Sequence, residues 1–369
     1  MGLNVLRMSE RIPPLRGGKE IHVAELTRAQ VDAGHDLLVL YRSGDGRTLG
    51  APAVRVEMPA PLTGLRGLTG TAMFSAAAAR SAWALKRPDI VHIHGDLTEA
   101  WCMGRYARRV GAPVVLTVHG GLNPRYVRLS RHAFREVNAF IALGDRVRDD
   151  LRRCGVQDDR VTVMSSGLNT DLIAAAQRGA AREPGLIVTV GSLDAVKNVA
   201  AVIRAVLATP LSLDLSLDVI GDGPQFEELE AIAQGSPRVR FLGQLSRDQV
   251  YRRVAAADAF VIASRRLPGK GEGVPTALLE AMALGRLSLV SAAARPRPVV
   301  TDEDSYRTFD PDDQDQLAAL LVEAVTDPVT RGQVGARARA AVAHLGWPDV
   351  ARRIEDVYHR ARSAHRLRR

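Results

Sequence analysis

What most constrains this chain is a succession of short apolar runs, each of strand length and mostly separated by helical patterning. Residues 4–9 (NVLRMS), 36–41 (DLLVLY), 89–94 (DIVHIH), 113–119 (PVVLTVH), 139–144 (AFIALG) and 161–167 (VTVMSSG) form a first series. Most are continuous in Val, Ile and Leu rather than alternating apolar with polar. Strands of that kind are buried on both faces, as in a parallel sheet covered by helices on each side. An amphipathic helix over 19–34, ended by Gly34, follows the first run. The pattern then restarts at 186–192 (LIVTVGS) and continues through 215–223, 239–244, 259–264 and 287–292. The expected fold class is therefore α/β, with two Rossmann-like, doubly wound parallel-sheet domains. A length of 369 residues suits two cores rather than one. The expected domains are 1–170 and 183–346, joined by a polar, Ala/Gly-rich segment near 168–185. A last helix, 347–369, is expected to fold back on the first domain. Ligands in such sheets lie beyond the carboxyl ends of the strands, so the site is expected in a cleft where the two sets of ends face each other.

Charge narrows the partners. Fifty Lys and Arg against 41 Asp and Glu give a net charge of +9, which suits anions such as phosphates. The stretch 351–369 holds seven Arg against one Glu and one Asp, and reads as a solvated tail in contact with membrane phosphates. Aromatic residues are only 4%, and no helix-turn-helix or RRM signature is present, so no nucleic-acid partner is expected. Cys102 and Cys154 have no metal-type spacing and read as thiols of a reducing cytosol. No run has the length of a bilayer-spanning helix, and MGLNVLRMS lacks the apolar core of a signal peptide. A cytoplasmic location is expected, with peripheral contact at the inner face of the membrane.

Four strand-to-helix turns carry candidate chemistry. In PPLRGGKEIHVAEL, Gly17 and Gly18 allow backbone amides to approach a phosphate, though a tight turn is the better explanation of a lone Gly pair. In VGSLDAVKN, Lys197 is expected to begin a helix, where a cation is unfavourable unless an anion is bound. In VIGDGPQFEELE, Gly221 and Gly223 make a turn suited to any α/β fold, with Pro224 at the first helical position. The fourth, GEGVPTALLEAMALG, places Glu272 in a loop and Glu280 eight positions on, inside a helix that Pro275 opens and Gly285 ends. A rise of about 1.5 Å per residue separates the two carboxylates by roughly 10 Å, the scale between the diols of a nucleotide sugar. Carboxylates accept paired hydrogen bonds from vicinal hydroxyls. Between them, amides at Gly273, Val274 and Thr276 can face a diphosphate. Taken alone, a bare pair of glutamates is better explained as a helix-start carboxylate and an exposed helix residue.

In this order, RGGKEIHVAEL, PDIVHIHG, VVLTVHG, VGSLDAVKN, IGDGP, RFLGQL, AADAFVIAS, EGVPTALLEAMALG and WPDVARRIEDVY resemble the retaining glycosyltransferases of family 4, whose two domains form the arrangement called GT-B. The resemblance spans nearly the whole chain. It implies that Glu272 binds the hydroxyls of the transferred sugar and Glu280 the ribose diol. It implies that Lys197 neutralises the diphosphate and Gly17 and Gly18 cradle it. His119 matches the family histidine near the sugar, and 240–245, with Leu242 and Gly243, the wall near the base. Ser192 stands where the family usually has Arg, which removes one phosphate cation; Arg295 or Arg297 is the candidate replacement. Residues 165–169 (SSGLN) stand where Asn-Gly-Val-Asp is common, which alters the interdomain hinge.

The resemblance implies transfer of a sugar from a nucleoside diphosphate, UDP first and GDP next, to an acceptor hydroxyl with retained configuration. The acceptor is a small aminosugar or natural-product intermediate, or a cell-envelope glycan. No cofactor and no metal are expected. His92 and His94 alternate on one strand without a third ligand in view, and Asp302–Asp304 and Asp310–Asp312 read as turn and cap residues. The competing readings are a nucleotide-sugar epimerase on the same fold and a non-catalytic nucleotide-sugar-binding subunit.

Overall fold

The computed structural model describes residues 2–15, 17–58, 68–267 and 271–367. In chain order its strands and α-helices are β1 (Asn4–Arg11), α1 (Gly18–Asp32), β2 (Asp36–Ser43), β3 (Ala53–Arg55), α2 (Leu68–Ala82), β4 (Ile90–His94), α3 (Leu97–Val110), β5 (Val114–Val118), α4 (Val127–Ala133), β6 (Ala139–Ala142), α5 (Asp145–Arg153) and β7 (Val161–Val163). They continue with α6 (Thr170–Gly179), β8 (Leu186–Val190), α7 (Val199–Ala208), β9 (Ser216–Ile220), α8 (Phe226–Ala233), β10 (Val239–Gly243), α9 (Arg247–Ala256), β11 (Ala259–Ile262), α10 (Thr276–Ala283), β12 (Leu287–Ser291), β13 (Arg307–Phe309), α11 (Gln314–Thr326), α12 (Pro328–Val342) and α13 (Trp347–Leu367). The chain forms two compact units, one of Met1–Gly167 with Leu345–Arg369 and one of Leu168–His344.

Each unit holds one sheet. The first runs β3-β2-β1-β4-β5-β6-β7 and the second β10-β9-β8-β11-β12-β13. Every strand pairing is parallel. Strands β4, β5, β6, β11 and β12 are buried at every position, which is why their sequences do not alternate. Both orders reverse direction once, between β1 and β4 and between β8 and β11. The loops leaving those strands therefore diverge, and a crevice opens beside them at the carboxyl end of each sheet.

Several local expectations change. Strands β3 and β13 were not read from the sequence; each has three residues, too few for a pattern, and exists by pairing on β2 and β12. The segment expected to be a polar connection holds α6, capped by the Asn169 side chain accepting from the Leu172 amide, and belongs to the second unit. Lys197 lies before α7 rather than at its start, because Asn198 takes a left-handed conformation (φ 52°) as N-cap. Pro275 is the N-cap of α10 and Pro224 precedes α8 by two residues, so neither occupies the first helical position. Gly221 and Gly223 are steric necessities: a Cβ on Gly221 would lie 1.8 Å from the Gly191 carbonyl oxygen. The loop from Ser264 to Glu272 passes through Pro268, Gly269 and Lys270, which lie outside the described residues.

The C-terminal stretch is no solvated tail. Trp347, Val350, Ala351, Ile354, Val357, Tyr358 and Ala361 recur at helical spacing and are buried against β1, β5, β6 and α1. Arg360 donates to the Thr162 hydroxyl at 3.0 Å, Arg362 pairs with Asp89 at 3.3 Å, and Arg352 pairs with Asp349. Arg368 and Arg369 lie outside the described residues. Ile354 is fully buried, so Ile354→Ala is expected to cost about 3 kcal/mol, read as a lower urea midpoint at unchanged slope.

Inside the first unit the apolar core contains a polar layer. Arg7 of β1 is fully buried, and its guanidinium donates to Thr27 Oγ1 at 2.5 Å, to Gln30 Oε1 and to the Tyr358 hydroxyl at 3.4 Å. No carboxylate pairs with it among the described residues. The Tyr358 hydroxyl lies 2.6 Å from His92 Nδ1, and His92 Nε2 lies 2.8 Å from Thr117 Oγ1. Burial, and then the Arg7 charge, lowers the His22 pKa to about 3. His92 and His94 are also held well below the ordinary value, by burial first and neighbouring positive groups second. The opposite case is Glu99 of α3, whose carboxyl is raised to about 7 by burial and then by Asp96.

These shifts have a sign. The unfolded chain binds more protons than the native one below the ordinary histidine pKa, so stability is complete above that value and falls as pH drops through it. Four such histidines, these three and His119, which burial also holds well below the ordinary value, remove about 5 kcal/mol between pH 7 and 5.5, at roughly 1.4 kcal/mol per proton and pH unit. Glu99 binds its proton more readily when folded, so acidification favours the folded state there and offsets about 1.5 kcal/mol. The expected net loss is about 3.5 kcal/mol by urea unfolding at the two pH values, rising to about 5 in Glu99→Gln.

Candidate functional site

In the second unit, the β8 and β11 ends at the strand-order reversal carry the two loops with most of the candidate residues. The first leaves β8 at Gly191. Its turn is tied by Asp194, whose carboxylate accepts from the Val196 amide (2.9 Å), the Lys197 amide (3.2 Å) and the Ser192 hydroxyl (2.7 Å). The Lys197 side chain runs along Gly191, where an added Cβ would sit 3.1 Å from its Cε. From the second loop Glu272 reaches back, and Lys197 Nζ forms an ion pair with Glu272 Oε1. That same oxygen accepts from Ser264 Oγ at 3.0 Å. The two residues for which separate ligand roles were implied are thus bonded to each other.

Glu280 is also anchored. It lies within α10, the helix that follows Gly273, Val274 and Pro275, with Thr276 as its first residue. Its Oε1 accepts from Arg247 Nη2 at 2.8 Å and from the Tyr251 hydroxyl at 2.7 Å. Arg247 Nε also donates to that hydroxyl at 2.7 Å, so the three side chains close a ring. Burial and then the Glu280 charge raise the Tyr251 phenol, which stays protonated as a donor. In both glutamates Oε2 accepts no hydrogen bond from a described residue. Each carboxylate is fixed by one oxygen and offers the other.

The remaining second-unit candidates lie on neighbouring turns. Leu242 and Gly243 end β10, Gly243 is left-handed (φ 62°), and its carbonyl accepts from the Gly221 amide at 2.8 Å. Arg295 and Arg297, the expected replacements for the missing cation, both lie on the Glu303 carboxylate, at 3.9 and 2.7 Å. Arg265 is the cation brought to the Ser192–Lys197 loop. Its Nε donates to the Ala195 carbonyl (3.2 Å) and its amide to the Val196 carbonyl (2.8 Å). Sequence reasoning missed Arg247, Tyr251, Ser264 and Arg265. Only Arg247 and Tyr251 left a signal: the Ser246–Gln249 capping box starts α9 and sets them one turn apart on one face.

The first unit holds the other three candidates. Gly17 is the N-cap of α1 and Gly18 its first residue. The Glu20 carboxylate folds back over Gly17, where a Cβ would sit 2.2 Å from Glu20 Oε2, and Arg11 pairs with Glu20 at 3.0 Å. A protein carboxylate thus faces the turn that was expected to cradle a phosphate. His119 follows β5 and lines a cavity of about 450 Å³ with Lys19, Glu10, Thr71, Asp96 and Glu99. Glu99 Oε2 accepts from the Asp96 amide (3.2 Å) and from Thr98 Oγ1 (3.0 Å) at the start of α3.

Behind His119 stand two more imidazoles. His94 Nδ1 lies 3.0 Å from His119 Nε2, and His22 meets the His119 ring edge-on at 4.8 Å between centroids. His94 of the His92/His94 pair thus stands with His119 and with His22, carried in by α1, while both ring nitrogens of His92 are taken by Tyr358 and Thr117. Ligand atoms of His22, His94 and His119 lie within 4.8 Å of one another. The set suits a cation poorly. The buried Arg7 charge acts on His22 and His94, no carboxylate balances it, and hydrogen bonds to Ser166 and between His94 and His119 already use three ring nitrogens. The acidic triplets are structural as expected: Asp313 caps α11, while Asp302 and Asp310 accept from amides two residues on.

Comparison with known proteins agrees with this architecture. The family described as Glycosyltransferase Family 4 matches residues 16–172, and Glycosyl transferases group 1 matches residues 173–341. A phosphatidyl-myo-inositol mannosyltransferase of Mycolicibacterium smegmatis is 27% identical over 355 residues, covering 93% of this chain and 90% of that one. A glycogen synthase of Mycobacterium tuberculosis is 26% identical over 408 aligned positions, covering 99% and 96%. Among solved structures, Anabaena HepE in complex with UDP and glucose superposes with a TM-score of 0.78 at 17% identity, covering 97% of this chain and 99% of that one. Sucrose-phosphate synthase from Thermosynechococcus elongatus gives 0.80 at 17% identity, covering 98% and 99%. The two matched families meet at 172/173, close to the boundary between the units, and between them take in most of the chain. The chain belongs to glycosyltransferase family 4 and is a glycosyltransferase of the GT-B architecture.

Proposed function

We propose that the protein transfers a sugar from a nucleoside diphosphate, UDP first and GDP next, to an acceptor hydroxyl with retention of anomeric configuration and without a metal. The observation that carries this is the pair of half-engaged carboxylates in the second unit. Glu280, fixed by Arg247 and Tyr251, turns Oε2 to the ribose diol, and Glu272, fixed by Lys197 and Ser264, turns Oε2 to hydroxyls of the transferred sugar. The amides of Gly273, Val274 and Thr276 at the start of α10 add positive potential for the diphosphate.

The chemistry is electrostatic. As the bond between the anomeric carbon and the phosphate oxygen breaks, negative charge grows on the leaving diphosphate. Lys197, released from Glu272 as the donor arrives, and Arg265 stabilise that charge in the place of the arginine absent at Ser192. The acceptor oxygen bonds to the anomeric carbon on the same face, and its proton passes to a phosphate oxygen, so no protein nucleophile is required. The cavity beside His119 receives the acceptor, a small hydrophilic molecule or a cell-envelope glycan, and His119, held neutral by burial, orients hydroxyls. Peripheral contact with anionic lipid belongs to the same reading. The named relatives act on lipid-linked and soluble acceptors alike, and their names support the reaction class without choosing between them.

Thermal shift with UDP, GDP, ADP and TDP identifies the base, because a ligand bound only by the native state raises stability with the logarithm of its concentration. Glu280→Ala is expected to weaken nucleotide binding roughly tenfold to a hundredfold, the worth of charge-assisted hydrogen bonds. Glu272→Ala is expected to leave nucleotide affinity within about threefold and to lower kcat by two orders of magnitude or more. The anomeric proton coupling of the product reads retention. Unimpaired transfer in both variants contradicts the assignment, and binding without transfer or donor hydrolysis supports a regulatory subunit instead.

A further inference from the structure

Helices α2 and α3 carry, on the face turned away from the core, a groove of about 350 Å³ that takes no part in the sites above. Ala76, Ala79, Arg80 and Trp83 recur at helical spacing along α2 and just past its end, while Trp101, Arg105 and Arg109 follow at steps of four on α3. The opposite faces, with Phe74, Ala78 and Ala82 on one helix and Met103 and Ala107 on the other, are buried in the core. The alanines leave the floor shallow, so the indoles form its walls. Trp83 is 53% exposed and sits edge-on to Tyr106 at 5.5 Å, and Trp101 packs on His132 at 5.0 Å.

The charge of the groove is one-sided. Arg80, Arg105 and Arg109 are exposed and make no ion pair among the described residues, whereas neighbouring Arg108 is bound to Glu136 at 2.8 Å. No carboxylate lines the groove. The Tyr106 hydroxyl donates inward to the Ala82 carbonyl at 3.2 Å. The groove therefore presents guanidinium donors and indole faces, and no carboxylate or amide acceptor. A folded protein partner would have to bring acceptors to three fixed points. A phospholipid surface presents phosphate and ester acceptors at every lateral position and takes indole rings at headgroup depth.

We propose that the α2–α3 face docks on an anionic phospholipid bilayer, with Trp83 and Trp101 at headgroup depth and Arg80, Arg105 and Arg109 on lipid phosphates. This gives a place to the membrane contact of the proposed function, which the sequence had assigned to the Arg-rich C-terminal stretch. Arg352, Arg360 and Arg362 of that stretch are engaged on the protein itself. No helix among the described residues is long and apolar enough to cross a membrane, so this contact is one of surface docking.

The test is co-sedimentation and tryptophan emission of the full chain with vesicles of phosphatidylcholine containing phosphatidylglycerol, against pure phosphatidylcholine and against soluble glycerol phosphate. The third tryptophan, Trp347, is buried, so a blue shift reports Trp83 and Trp101. Binding is expected to the anionic vesicles only, and to weaken with salt. Each Arg→Ala is expected to lower partitioning about fivefold, and Arg80→Ala/Arg105→Ala/Arg109→Ala together about a hundredfold. Trp83→Ser is expected to shrink the blue shift. All four side chains are exposed, and the single variants carry the test if the triple one melts early.

Wild-type protein indifferent to anionic vesicles overturns the proposal. So does a triple variant that binds within about threefold of wild type. An equal emission change with glycerol phosphate, which also blocks vesicles, overturns it in favour of a small-anion site. Vesicle binding requires neither donor nor acceptor, so its failure leaves the transfer reaction standing, and the reverse holds too.

Discussion

Parallel pairing on both sides of a first strand is the constraint on which the rest depends. β1 lies between β2 and β4, and β8 between β9 and β11, so the chain must leave each of these strands toward one flank and return on the other. The loops at those points part from each other, and only there can side chains from two separate segments meet beyond the sheet. Lys197 and Glu272 are 75 residues apart in the chain and still form an ion pair for this reason. In the first unit β1, β4 and β5 stand side by side, and His94 and His119 follow from the last two of them.

Electrostatic balance differs between the units. In the second, each candidate carboxylate has a cation and a hydroxyl on one oxygen, an arrangement that fixes the group. In the first, the central cation has no anion among the described residues. Arg7 is satisfied by neutral oxygens of Thr27, Gln30 and Tyr358, and its charge is felt by imidazoles that stay uncharged. A buried charge solvated only by dipoles is costly to move, which holds α13, β1 and α1 in one arrangement. The Tyr358 hydroxyl, reached from the far end of the sequence, completes that shell.

Much of the architecture was legible because burial on both faces leaves unbroken Val, Ile and Leu runs, and eleven of the thirteen strands came from such runs. The missing two are three-residue edges whose existence depends on a neighbour. Candidate residues stood out where chemistry is unusual for its place, as with Glu272, Glu280 and Lys197. The site was opaque where a partner comes from another element. Nothing in the local sequence of Arg247, Tyr251 or Arg265 says which group each will touch, and His22 looks like one polar residue on a helix. Charge runs misled for the same reason. Seven arginines in the last nineteen positions read as a free tail, but the apolar stripe beneath them, Trp347 to Ala361, had the larger say.

The return of α13 to the first unit makes the second an insertion within it, so the order of synthesis is not the order of completion. When residues 1–167 have left the ribosome, β1 and β5 still lack the helix that covers them, and Arg7 lacks its phenol. The inserted unit, contiguous from Leu168 to His344, has all of its own strands before that helix is made. The half that begins first therefore finishes last, and during translation it exposes the apolar faces of Val5, Val115 and Ile141 until Ile354 and Tyr358 arrive. A chain cut anywhere before α13 leaves those faces bare, while a segment cut at the two unit boundaries loses none of its own core.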